Sequence, residues 1–161
     1  MQEENFQHEA FMRAALEEAE KAKNEKEVPV GAVVVYEGKI ISAGRNRREM
    51  LKNSVFHAEI EAIHRACKKL GRWRLSECSL YVTLEPCPMC TGAIINSRIS
   101  NLIYGASDPK AGSCESVINL FDLPYNHKPQ VTAGVLKEEC SEILSSFFKE
   151  LRKQKSKVNS N

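Results

Sequence analysis

The feature that most limits how this chain can fold is the switching period of its apolar residues between positions 58 and 106. Ala62, Ile63, Ala66, Cys67 and Leu70 recur with helical spacing, and Gly71 stands where a C-terminal cap belongs. The stretch SLYVTLE (79–85) then reads as a strand, PMCTGAIINSR (88–98) as a helix and NLIYGA (101–106) as a strand again. Such alternation calls for right-handed crossovers between parallel strands and a sheet covered on both faces. Upstream, VPVGAVVVY (28–36) and KIISAG (39–44) flank Glu37 and Gly38 and read as an antiparallel hairpin. A last short strand is expected near QVTAGV. The expected fold is therefore α/β: a three-layer α/β/α sandwich with a five-stranded, mostly parallel sheet whose first two strands form a hairpin.

The ends are helical by the same test. Phe11, Met12, Ala15, Leu16, Ala19 and Ala22 mark an opening amphipathic helix with Asn5 as a plausible N-cap. Leu136, Cys140, Ile143, Leu144, Phe147, Phe148 and Leu151 trace the stripe of a closing one. Residues 107–116 read as a polar loop, followed by a short helical piece, SVINLF. The chain of 161 residues, 42% hydrophobic, suffices for one core and not for two. We expect one domain over residues 1–152 and a flexible basic tail over 153–161, where Lys153, Lys155 and Lys157 follow Arg152.

No stretch approaches the roughly 20 apolar residues of a membrane span, and the N-terminal segment is acidic rather than signal-like. A soluble cytoplasmic protein is the expectation. Six cysteines in such a chain favour metal or redox chemistry over a disulfide framework. The net charge of +2 neither demands nor excludes a polyanionic partner.

Two short strings carry the chemistry: His57-Ala58-Glu59 at a helix start, and Pro86-Cys87-Pro88-Met89-Cys90 between a strand and a helix. Each alone is weak, because Cys-x-x-Cys after a strand also describes a thioredoxin-like redox site. Together, about thirty residues apart, they supply three ligands of zinc type and one acid with no structural reason to be there. Cys87 and Cys90 lie on one side of a first helical turn, where the free N–H groups favour thiolates. Residues two apart on a helix point away from each other, so His57 and Glu59 share a site only if their motif sits at the helix start. Three protein ligands leave a fourth position for water, as in a catalytic rather than a structural zinc site. Cys67, Cys78, Cys114, Cys140, His64 and His127 lack tight ligand spacing to the trio, and Cys67 and Cys140 fall on apolar stripes as buried thiols.

His-x-Glu followed by Pro-Cys-x-x-Cys is the signature of the zinc nucleobase deaminases. EVPVGAVVV, HAEIEAI, LYVTLEPCPMCTGAI, the region around YGASDPKAG, the tripeptide YNH and GVLKEECSEILSSFFKELR resemble, in order and spacing, the bacterial tRNA adenosine deaminases of the cytidine deaminase superfamily. The resemblance covers most of the chain. It departs at Glu115, where a small residue is usual, and at the basic pair Arg47 and Arg48 after Asn46. It implies that His57, Cys87 and Cys90 bind one Zn²⁺ and that Glu59, not a ligand, moves protons between water and N1 of adenine. It further implies that Asn46 reads the base, that Asp108, Lys110 and Asn126 line the nucleotide channel, and that Phe148 and Arg152 meet flanking bases or phosphates. The implied substrate is the wobble adenosine of a tRNA anticodon stem-loop, turned out of its stack. A homodimer without an organic cofactor is implied as well. The rival readings are a zinc deaminase of free guanine or cytidine, a thioredoxin-like module and a catalytically silent zinc scaffold that binds RNA.

Overall fold

The structure, a computed structural model, describes residues 1–160. Five strands form one sheet in the order β2-β1-β3-β4-β5, with β1 Gly31–Tyr36, β2 Lys39–Arg45, β3 Cys78–Leu84, β4 Asn101–Ala106 and β5 Gln130–Ala133. β1 runs antiparallel to both neighbours, while β3, β4 and β5 are mutually parallel. The sheet is thus mixed by pairing, although four of its five strands point one way. Helices α1 Gln2–Asn24 and α5 Lys137–Val158 cover one face; α3 Ala58–Leu70 and α4 Pro88–Ser97 cover the other. A single turn, α2 Arg48–Leu51, lies between β2 and α3, where the sequence pattern predicts no element.

The two-residue period of the strands divides the core in two. Ala32, Val34, Leu80, Val82, Leu102 and Tyr104 pack with Ala58, Ala62 and Ile94, and the alternate residues Val33, Val35, Tyr81 and Ile103 pack with Met12, Ala15 and Cys140. Helix α3 reaches β2 closely because position 44 is glycine: a Cβ on Gly44 would sit 2.6 Å from Ala62 N and overlap Ala58 O. That approach fixes the N-terminal turn of α3 against the sheet. At the other end Gly71 adopts φ 66°, the left-handed cap expected for it.

Four expectations need adjustment. Asn5 is no N-cap, since α1 begins at Gln2, and Glu3 and Glu4 in its first turn complement the helix dipole. The first strand starts at Gly31, because Pro29 has no N–H for the ladder. The piece SVINLF supplies only a 3₁₀ turn over Leu120–Asp122, where the Asn119 side chain accepts from Phe121 N and starts the turn late. The basic end, expected as a flexible tail, continues α5 as helix through Val158; Asn161, its last residue, lies outside the described residues. No helix among the described residues is long and apolar enough to cross a membrane.

Candidate active site

The metal-type residues stand at two helix N-termini. His57 is the N-cap residue of α3, with extended backbone, and Cys87 holds the same place on α4, with Pro88 next in the first turn. Being outside the helix, His57 does not follow helical spacing, and this lets it share a site with Glu59. His57 Nδ1 lies 3.6 Å from Cys87 Sγ and 3.5 Å from Cys90 Sγ, and all three ligand atoms fall within 4.8 Å of one another. Tetrahedral zinc with Zn–N and Zn–S bonds of about 2.0 and 2.3 Å separates such atoms by about 3.6 Å. The donor set therefore fits a zinc ion in both chemistry and spacing.

The electrostatics agree. The Cys90 thiol beside it, and then His57, hold the Cys87 thiol down at about 4 against the opposing effect of burial. Cys90 moves the other way: the neighbouring Cys87 and its own burial drive it up. Two sulfurs competing for one proton are the arrangement that a divalent cation relieves. Glu59, 4% exposed, is raised chiefly by desolvation, which makes its carboxyl easier to protonate than an exposed one.

His57, Glu59 and Cys87 form the floor of a cavity of about 220 Å³, with Cys90 fully buried directly behind them. Typical small-molecule pockets run from roughly 300 to 1,000 Å³, so this one suits a single planar base more than a whole nucleotide. Val28, Val30, Leu84 and Ala111 supply apolar lining; buried Asn46, half-buried Asp108 and exposed Arg48 supply polar lining. Asn46 is 6% exposed, donates to Val28 O (3.3 Å) and accepts from Arg48 N (3.3 Å). One amide hydrogen and one lone pair remain for a base edge. Asp108 Oδ1 accepts from Lys110 N and Ala111 N, an Asx turn that shapes its own loop.

The other expected contacts lie apart. Lys110 is exposed beside the pocket without lining it. Asn126, Phe148 and Arg152 are exposed on the 3₁₀-to-β5 loop and on α5, outside the cavity. Phe148 packs edge-on against Phe147 at 5.4 Å. The basic run after β2 divides: Arg45 pairs with Glu18 and Glu25, and Arg47 with Glu61, which leaves Arg48 in the pocket lining. Glu115 accepts a hydrogen bond from Tyr104 Oη (3.0 Å).

Sequence reasoning missed Glu85, which reads as no more than the end of a strand. The side chain is 2% exposed and accepts from Asp108 N, Cys114 N, Glu115 N, Ser116 N and Ser116 Oγ. Burial raises its carboxyl, but Ser116 and these amides outweigh that and leave it below its ordinary value. The available signal was an acid ending an apolar run thirty residues before a donor-rich loop.

A three-layer α/β/α sandwich that places His, Cys and Cys with a buried glutamate below a base-sized pocket defines the class of metal-dependent deaminases. The chain belongs to the MafB19-like deaminase family, whose profile matches residues 6–152. It is 49% identical to a tRNA-specific adenosine deaminase of Bacillus subtilis (strain 168) over 96% of this chain and 97% of that one. A tRNA-specific adenosine deaminase of Agrobacterium fabrum is 48% identical over 88% and 94%. Among solved structures, one from a study of A-to-I editing by tRNA:A34 deaminases at the wobble position superposes with a TM-score of 0.82 at 47% identity, covering 84% of this chain and 99% of that one. A Bacillus subtilis guanine deaminase reaches 0.61 at 33% identity, covering 91% and 94%.

Proposed function

We propose that this protein deaminates adenosine to inosine at the wobble position of a tRNA anticodon. The observation that carries the reading is the near full-length match, at 49% identity, to a tRNA-specific adenosine deaminase, against 33% for a guanine deaminase. The alternative of a free-base or nucleoside deaminase is disfavoured by that contrast. A redox role for Cys87 and Cys90 is disfavoured by the convergent His57 and the buried Glu59.

His57, Cys87 and Cys90 would hold Zn²⁺, which when bound supplies an acidified water as nucleophile. Glu59 takes one water proton on its carboxylate and returns it to N1 of the adenine, then takes the proton of the hydroxyl added at C6 and passes it to the departing amine; ammonia leaves, and the product is inosine. The apolar walls exclude bulk water and stack the base. The spare amide hydrogen and lone pair of Asn46 meet a base edge, and Asp108 borders the nucleotide. Because the cavity suits a base more than a whole nucleotide, the flanking RNA is expected outside it, where Lys110, Asn126, Phe148 and Arg152 are exposed. A cytoplasmic homodimer, a catalytic domain over 1–152 and a basic end beyond it belong to the same proposal, supported by the family resemblance.

The direct test offers the purified protein an anticodon stem-loop, free adenosine, guanine and cytidine. Inosine is expected only in the stem-loop. Xanthine from guanine, or uridine from cytidine, at a higher rate would overturn the reading.

A further inference from the structure

The loop over residues 107–116 forms one wall of the pocket, yet contains no helix or strand. Its backbone donors show what orders it. From Asp108 to Ser116 there are eight main-chain N–H groups, Pro109 having none. Lys110 and Ala111 donate to Asp108 Oδ1, Gly112 to Asp108 O and Ser113 to Pro86 O. The remaining four, on Asp108, Cys114, Glu115 and Ser116, all end on the Glu85 carboxylate at 2.9–3.2 Å, joined there by the Ser116 hydroxyl. Gly112 belongs to the same device, for a Cβ there would overlap the carboxylate itself and come 2.5 Å from Asp108 O.

We propose that Glu85 is a positioning residue for the substrate. By gathering the donors of this loop two residues before Cys87, it sets Asp108 and Ala111 in register with the metal-binding turn; Glu85 also borders the cavity, but its carboxylate is turned to the loop and only 2% of the residue is exposed. A carboxylate offers about four acceptor sites, and this one already receives five donors, so none remains to bind substrate or move its proton. The anchorage is also continuous along the chain: the Glu85 side chain holds the loop, Pro86 O accepts from Ser113 N, and Cys87 joins the ligand trio. Substrate can enter only molecules whose wall is formed, so loosening the loop raises the apparent dissociation constant by the inverse of the formed fraction and leaves the bound complex able to react. The proposal rests on the deaminase reading for its kinetic consequence. Its structural premise is testable without it.

The experiment compares the full-length parent with Glu85→Gln, Gly112→Ala and Ser116→Ala. Glu85→Gln replaces one oxygen by an amide group that faces N–H donors. Gly112→Ala leaves Glu85 intact and displaces its carboxylate. Ser116→Ala removes only one of the five donors. Hydrogen exchange should accelerate at amides 108–116 in Glu85→Gln and Gly112→Ala, and stay unchanged at 58–66, with metal content equal to the parent's. On the stem-loop, KM should rise roughly tenfold or more in both, the equivalent of one lost hydrogen bond to a charged group, while kcat changes far less. Ser116→Ala should shift both readouts in the same direction by less. Unchanged exchange in the first two variants overturns the anchor. So does a fall in kcat at constant KM, which would put Glu85 in the chemical step, or loss of metal, which would make it part of the ligand scaffold. A parent that makes no inosine would instead overturn the function, and the exchange result would still decide the anchor.

Discussion

His57, Glu59, Cys87 and Cys90 occupy the first turns of two helices pressed onto the sheet, whereas Asn126, Phe148 and Arg152 stand on exposed loop and helix surface outside the cavity. The floor is held from several sides: Gly44 lets α3 approach β2, the ligand atoms meet within 4.8 Å, and Glu59 is 4% exposed. The three exposed residues, which the proposed function makes the rim that meets RNA, have few fixed neighbours in the protein. A reaction that moves a proton over one hydrogen-bond length needs the first kind of construction. Recognition of a flexible polyanion needs mainly charge and a surface. Substitutions should accordingly alter turnover at the floor and affinity at the rim.

The largest effect is expected for the ligands. Cys90→Ala or His57→Ala leaves two of three donors, and each should lose the metal and all measurable deamination while the parent keeps one zinc per chain. Elemental analysis with an inosine assay checks both. Full metal in either variant would move the ion away from this trio. Next comes Glu59→Ala, which should keep metal and fold and lose about two or more orders of magnitude in kcat, the usual contribution of a positioned general base. Near-parental turnover would end its proton-shuttle role.

The same contrast governs what was legible in the sequence. The floor lies in two strings of three and five residues, and the hydrophobic period shows that each opens a helix, so its geometry follows from local rules. The sheet was legible through alternation, since Val33 and Val34, or Tyr81 and Val82, must face opposite layers. The direction of β1 against β3 was not, because β2 and α3 separate the two strands in the chain and their pairing depends on tertiary packing alone. Glu85 escaped notice because an acid acting through backbone N–H groups thirty positions away leaves no motif. Nor does a basic run reveal which of its members are already paired: Arg45 and Arg47 are, through Glu18, Glu25 and Glu61, while Arg48 lines the pocket.

A smaller and indirect effect sharpens the comparison at the floor. Gly44→Ala adds one methyl group far from any proton transfer, but it pushes against Ala58 O and Ala62 N, the turn that bears His57 and Glu59. Overpacking of this kind typically costs about 1–3 kcal/mol of stability, so Tm should fall. Turnover should drop roughly tenfold, since a misplacement near 1 Å can cost more than that. Gly38→Ala, in the open hairpin turn, is the control for a lost glycine away from the site: no atom lies within 4 Å of its Cβ. Equal kinetic defects in the two would mean that the approach of α3 to β2 does not govern the site.

The smallest effect on chemistry is expected at the rim, from a chain truncated after Leu151. The cut removes Arg152, Lys153, Lys155 and Lys157, all exposed on the last turns of α5 and absent from the pocket lining. Each phosphate that the protein no longer neutralises should flatten the log–log dependence of RNA affinity on salt by about 0.7 for single-stranded RNA, so two such phosphates change the slope by about 1.4. Affinity should weaken most at low salt, where counterion release contributes most. Turnover at saturating stem-loop should stay near the parent's, because these side chains would bind ground state and transition state alike. Binding of the stem-loop at several salt concentrations, together with kcat at saturation, measures both. A kcat that falls with affinity would join rim and floor through α5, whose Cys140 packs beneath the sheet, and erase the division between them. An unchanged slope and affinity would leave the RNA to Arg48 and Lys110, since Arg45 and Arg47 are held by carboxylates of the protein itself.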